Sequence, residues 1–422
     1  MASVIGEGSY GCVHKPQLEC NKSNKQRKIE KNDNISKFML TKDAISELSE
    51  YTTIANIDKE KKYYLGKPLK CKPKHSKYNI KSAKKCDLYK KSKRSKKSGY
   101  STTKIKSSKN NTKNLFSKYS LLIIPDGGQD ISKLMTSIET YSVSKRNEYL
   151  KNFWEKASTL FEGILLFKKH GILHHDVKPQ NIVFNLKTDI IKFIDFGLMR
   201  KIDDVKNASR TNRNYIAEYP FWTYPFEFAY LNKELFMKIA EMSLEEKKEY
   251  FEYFIKEKLK DSSSKLSISC RILFDYILRN HNQKEREEII DKYLNDFMNF
   301  IMYEMYPENY ENFLKKSLDT IDLFGLGITL QFVLCYSKDY FDKEKWKKLE
   351  ELFFNMMRPS LIHRYSIEES FKTFNEIMNN KSDINTFSYK NIITDLPIVK
   401  KLDKKKLTEL VSEQEELLEK KK

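Results

Sequence analysis

The chain has no cysteine framework. Cys12, Cys20, Cys71, Cys86, Cys270 and Cys335 are scattered over 422 residues without the recurring short spacings of a disulfide scaffold. That excludes a small disulfide-stapled fold, and the six are read as reduced thiols of an intracellular protein. Cys71, His75 and Cys86 could suggest zinc, but no fourth ligand is evident, so structural roles are expected. Long apolar runs are also missing. The most apolar helix candidate, around Asp319–Gly327, has an apolar stretch of about a dozen residues, too short to span a bilayer. A glycine-rich turn follows almost directly on Met1, so no secretory leader is expected.

Acidic residues are scarce in one region. Residues 66–118 hold 18 lysines and one arginine against the single acid Asp87, which is nearly all of the formal net charge of +20. Few apolar residues interrupt this Lys/Ser/Thr/Asn-rich stretch, so much of it is expected to be a disordered or loosely held basic loop. Such a loop attracts nucleic acid, anionic membrane or acidic protein by charge and counterion release. Tyr78, Tyr89 and Tyr100 are interleaved in it as candidates for stacking on bases.

Elsewhere 13% aromatic and 40% apolar residues suffice for a core, and 32% charge points to a soluble chain. The length allows one two-lobed unit with insertions, or two or three small domains.

The chemistry is concentrated in residues 172–197. Asp176 and Asn181 stand five residues apart on one loop, with Lys178 between them, and Asp195 follows on a second loop after an apolar strand. That spacing suits phosphoryl transfer, which needs positioning and charge neutralisation more than covalent help. Asp176 would accept the acceptor hydroxyl's proton, Lys178 would lie beside the transferring phosphate, and Asn181 and Asp195 would hold Mg2+. Upstream, Ile5, Gly6, Gly8, Gly11 and Val13 are spaced as G-x-G-x-x-G-x-V. The glycines would let backbone amides approach phosphates, and Val13 would pack over adenine. Pro16 makes a helix after these glycines unfavourable, so a second strand is expected there instead of a dinucleotide fold.

With these motifs in order, the chain resembles the eukaryotic-type protein kinase family over most of residues 1–375. The resemblance implies an α+β, two-lobed fold: a β-rich N-lobe over 1–125 with the basic insertion 66–118, and a helical C-lobe over 126–380. A second, helical insertion is expected over 231–317 and a charged helix within 381–422. Lys37 takes the place of the phosphate-binding lysine. Glu50 is expected as its partner in preference to Glu47, because Ile54 and Ile57 follow it at four and seven residues. Residues 121–128 resemble the last N-lobe strand and hinge, with Leu122 as gatekeeper, Ile123 and Pro125 at the ATP site, and Gln129 or Asp130 near ribose. Pro125 has no N–H for adenine. Glu227 and Arg364 resemble the ion pair that supports the activation segment, and Asp322 the buried carboxylate under the catalytic loop.

Lys178 implies serine or threonine acceptors. His175 replaces the arginine that usually reads a phosphorylated activation loop, and Pro220 stands where a threonine usually helps hold Lys178, which leaves Thr223 as the candidate for that role. The long insertions and lysine bias resemble the serine/threonine kinases of large DNA viruses, which implies host cytoplasm or virion. Two other readings stay open: a pseudokinase scaffold, and a polyanion-binding module displaying the 66–118 loop.

Overall fold

Five short strands form one antiparallel sheet in the order β1-β2-β3-β5-β4 in the computed structural model, which describes residues 2–8, 11–21, 34–94, 116–211 and 221–379. The strands are β1 (Ser3–Gly8), β2 (Gly11–Lys15), β3 (Asn34–Leu40), β4 (Leu69–Cys71) and β5 (Tyr119–Pro125). They belong to the first of two units, Met1–Gly128 with Lys192–Gly197. Because side chains alternate across a strand, the two faces are distinct. Phe38, Leu121, Ile123 and Cys12 fill one face, with Phe38 stacked on Tyr119 at 4.4 Å. Met39 and Leu122 fill the other, against Ala44 of helix α1 (Thr41–Ile57).

Part of the basic insertion, residues 69–94, is folded. β4, α2 (Lys77–Ala83) and α3 (Asp87–Arg94) cover the Phe38 face, to which Ala83, Cys86, Tyr89 and Phe116 contribute. The apolar residues are few but nearly all point inward. Buried Asn79 accepts from Glu19 N at 2.9 Å and donates to Glu19 O and Lys74 O at 2.8 Å, replacing the water these groups lose. Disulfides Cys12–Cys86 and Cys20–Cys71 close the arrangement, so the reading of six free thiols is corrected: Cys270 and Cys335 are free and buried. The inference from thiols to a reducing compartment, and the zinc reading of Cys71 and Cys86, fall with it. Tyr100 and residues 95–115 lie outside the described residues, as does the tail 380–422.

The second unit comprises Gln129–Ile191 and Leu198–Lys422. Its first elements are β6 (Gln129–Asp130), α4 (Ile131–Ile138), α5 (Val143–Lys156), α6 (Ser158–Lys169), β7 (Ile172–Leu173) and β8 (Ile182–Asn185). β9 (Ile190–Phe193), whose Lys192 and Phe193 belong to the first unit, β10 (Arg200–Lys201) and α7 (Ile202–Arg210) follow. The expected helical insertion forms α8 (Lys233–Ala240), α9 (Leu244–Tyr250), a π-helical stretch (Phe251–Lys256), α10 (Glu257–Lys260), α11 (Lys265–Ile277) and α12 (Gln283–Asn299). Its apolar faces join one large core with α13 (Tyr310–Cys335). Helices α14 (Lys343–Met356) and α15 (Ile367–Met378) complete the unit.

The sequence reading undercounts the apolar length of α13. Pro307–Cys335 is long and apolar enough to cross a membrane by length and composition, with a window of mean hydropathy 1.5, yet 94% of that window is buried inside the structure. It is the core helix of this unit.

Candidate active site

In the first unit, register places Lys37 opposite Val13 on β2 and Leu122 on β5, so these three share a face. Lys37 Nζ lies 2.7 Å from Glu47 Oε2 and 3.6 Å from Asp195 Oδ1. Burial by itself would lower the Lys37 pKa, but Asp195 and Glu47 outweigh it and raise it, so the ammonium is retained. The expected partner Glu50 is thereby corrected to Glu47. The buried stripe of α1 runs Ala44, Glu47, Tyr51, Ile54, a spacing of three, four and three that puts Glu47 toward the sheet. Glu50 and Ile57 lie off that stripe and are only half-buried.

Gly11 has a steric cause: a Cβ there would meet Phe38 O at 2.6 Å. At Gly8 it would meet nothing within 4 Å, so open space lies along that backbone. Ile5 and Gly6 lie on β1 beside them, while Ser9 and Tyr10 are outside the described residues. Ile123 points away from Lys37 into the Phe38 core, which corrects it as a side chain for nucleotide contact. Pro125 ends β5, and the following Asp126 pairs with Lys15. Asp195 has a φ of +62°, a backbone state uncommon outside glycine. The next residue, Phe196, is buried against Tyr51 and Tyr64 at ring separations of 5.5 and 6.3 Å.

In the second unit, Lys178 Nζ donates to both Asp176 oxygens at 2.7 and 2.8 Å. Asn181 Nδ2 donates to Asp176 Oδ2 at 2.6 Å and to Asp176 O at 2.9 Å, fixing the carboxylate relative to its own backbone. Beneath this loop, Asp322 accepts from His174 N at 2.7 Å and His175 N at 2.8 Å, as expected. Burial pushes the Asp322 carboxyl up to about 6 in spite of those bonds. Gly325, one turn further along α13, abuts the Val177 carbonyl so closely that no Cβ fits.

His175, at φ +64°, stacks on Tyr224 with ring centroids 5.0 Å apart, and Tyr224 OH donates to His175 O at 2.9 Å. Burial, then Arg200, lower its pKa to about 4, so the ring is neutral near pH 7. Glu227 and Arg364 pair at 2.6 Å with both side chains out of solvent. Thr223 does not hold Lys178: its buried Oγ1 has no hydrogen-bond partner among the described residues. Asp130 is engaged as a helix cap, accepting from Lys133 N at 2.9 Å. Sequence reasoning missed the insertion's carboxylates. Asp296 accepts from Arg358 at 3.1 and 3.3 Å, and Glu304 from Ser360 Oγ at 2.6 Å and from Leu361 N and Ile362 N at 3.1 Å, so the insertion clamps the loop that carries Arg364.

Sequence comparison bears on this loop. Residues 82–219 match the protein kinase domain model. The matched span includes Asp176, Lys178, Asn181 and Asp195, while the glycine-rich strands and Lys37 precede it. The serine/threonine-protein kinase SSK22 of Saccharomyces cerevisiae is 30% identical over 105 residues, 24% of this chain and 6% of that protein. The CTD kinase subunit alpha of Schizosaccharomyces pombe is 39% identical over 62 residues, 15% of this chain and 10% of that protein. A protein named "Probable casein kinase II subunit alpha homolog", from Encephalitozoon cuniculi, is 28% identical over 124 residues, 27% of this chain and 39% of that protein. The chain thus spans well under half the length of these relatives. The α+β class, with a β-rich first unit and a mostly helical second, is that of a protein kinase domain.

Proposed function

We propose that the chain is an ATP-dependent protein kinase that phosphorylates serine and threonine. One observation carries the reading: within the matched kinase segment, Asp176 is held by Lys178 on both oxygens and by Asn181 on one. In this role Asp176 accepts the proton of the acceptor hydroxyl, and Lys178 offsets negative charge developing beside it. Lys37, kept charged by Asp195 and Glu47, supplies a fixed positive charge to the nucleotide phosphates.

The residues fit the cofactors the family resemblance implies. Asn181 has its amide nitrogen committed to Asp176 and offers its oxygen, and Asp195 offers a carboxylate that is 48% exposed. Both are hard oxygen donors suited to Mg2+. Bound Mg2+–ATP supplies the phosphoryl group and neutralises its charge. Lys178 and the name of the Saccharomyces cerevisiae relative, a serine/threonine-protein kinase, support serine/threonine acceptors.

Transfer from labelled ATP with Mg2+, onto the chain itself and onto generic substrates, tests the reading. Asp176→Asn should lower transfer by about 10²–10⁴-fold, and Asp195→Asn should abolish Mg2+-dependent transfer. A folded wild type no more active than these variants would leave a scaffold in its place.

A second property, polyanion contact through 66–118, is supported by the exposed lysines of the folded part, among them Lys70, Lys74, Lys77, Lys81, Lys84 and Lys85. Deleting 95–115 and measuring salt-dependent nucleic-acid binding tests it. The lysine bias and long insertions also support our placing the chain with kinases of large DNA viruses, acting in host cytoplasm or carried in the virion.

A further inference from the structure

The inserted helix α11 reaches the loop that carries Asp176. Tyr276 OH accepts from Gln180 Nε2 at 2.6 Å and lies 3.4 Å from Ser132 Oγ. Gln180 stands between Lys178 and Asn181. The Tyr276 ring stacks on Trp222, with centroids 4.6 Å apart and planes at 25°. Trp222 packs beside Phe221 at 6.0 Å, and Lys178 Nζ lies 4.9 Å over the Phe221 ring. Phe221 is 41% exposed, while Trp222 and Tyr276 are half-buried. A continuous shelf therefore runs from the proposed base through Lys178, Phe221 and Trp222 to Tyr276. Beyond Lys178, among the described residues, it presents aromatic rings, an amide and a hydroxyl and no carboxylate. Neighbouring charges are engaged elsewhere: Asp275 with Arg286 at 2.6 Å and Arg279 with Glu139 at 3.3 Å.

We infer that the insertion takes part in substrate choice: Tyr276 holds Trp222 and Gln180 so that the shelf beside Asp176 accepts a protein segment with an apolar or aromatic side chain next to its serine or threonine. This rests on the kinase reading. A charged side chain on the shelf would lose water without gaining a partner, whereas an apolar one gains ring contacts. Tyr276 is a positioning and specificity residue, without contact to the reacting atoms.

The test uses the full chain and a serine/threonine peptide array with each flanking position varied in turn. Wild type should favour Leu, Phe or Tyr over Asp, Glu, Lys and Arg at one or two positions adjoining the acceptor. Tyr276→Ala should flatten that preference and raise the peptide KM by about two- to tenfold, the range expected for one aromatic pair, with the KM for ATP unchanged. Tyr276→Phe keeps the stacking and should keep the preference; Trp222→Leu, which keeps bulk, should lose it. This second pair decides the matter if Tyr276→Ala fails to fold. Unchanged selectivity in both Tyr276→Ala and Trp222→Leu, or a wild type that selects charged flanks, overturns the inference while leaving the kinase reading intact. A wild type that transfers phosphate to no substrate overturns both.

Discussion

The two insertions solve the same problem by different means. Residues 66–118 add a strand and two short helices to a small sheet, with few apolar side chains, and rely on two disulfides and the buried amide of Asn79. Residues 231–317 bring in many phenylalanines and tyrosines, share a core with α13, and fix a loop through the buried carboxylates Asp296 and Glu304. A segment poor in apolar surface needs covalent ties to offset the entropy of ordering it. One rich in aromatics can bury acids, because paired loops satisfy them.

The largest expected effect breaks the second arrangement. Asp296→Ala strips the carboxylate from partly buried Arg358, and Glu227→Ala, just ahead of the insertion, leaves buried Arg364 on the clamped loop without its acid. Each should cost about 3–5 kcal/mol by urea unfolding, as removal of one partner from a buried pair does. A loss below 1 kcal/mol would show that the insertion is not bolted down by charge. Next, replacing Cys12 and Cys86 by serine should destabilise the first unit by about 2–4 kcal/mol. Dithiothreitol, which also opens Cys20–Cys71, should lower wild type by at least that much and the serine variant by less. If reduction leaves the melting of both unchanged, the contrast between the insertions fails.

A third prediction concerns pH. His175 titrates at about 4 when folded against an ordinary 6.5, so the unfolded chain binds the extra proton first and stability falls as pH drops from 6.5 to 4. Asp322 works in the opposite sense. Its folded carboxyl sits at about 6 instead of 3.8, so the folded chain holds the proton more tightly and stability falls as pH rises through 4 to 6. In wild type the two largely offset each other. His175→Gln removes only the first, and the variant should gain about 3 kcal/mol relative to wild type between pH 7 and 4. A parallel pair of unfolding profiles would refute the assignment. The smallest effect is for surface charge: Lys81→Glu with Lys84→Glu should change stability by no more than about 0.5 kcal/mol, while weakening salt-dependent nucleic-acid retention.

Asp176, Lys178 and Asn181 were legible because they lie close together on one loop, so spacing alone puts them within reach of one another. Asp322 and the Glu227–Arg364 pair were legible from the segments that carry them. Glu50 was the wrong choice because Ile54 belongs to two possible helical stripes, and only the contact of Ala44 and Tyr51 with their neighbours selects the one through Glu47. The folding of 66–94 was hidden because composition counts apolar residues without saying that most of those few face one side. Nor does spacing reveal that Cys12 meets Cys86, or that Asp296 and Glu304 find donors more than fifty residues away.

The two cystines are nested, Cys20–Cys71 inside Cys12–Cys86. One cut of the backbone anywhere between Cys20 and Cys71 therefore leaves two pieces still tied by both cross-links, with Lys37 on one of them. Proteolysis that severs this region would pass unseen on a gel until the sample is reduced, and the nicked protein would keep the lysine its chemistry depends on.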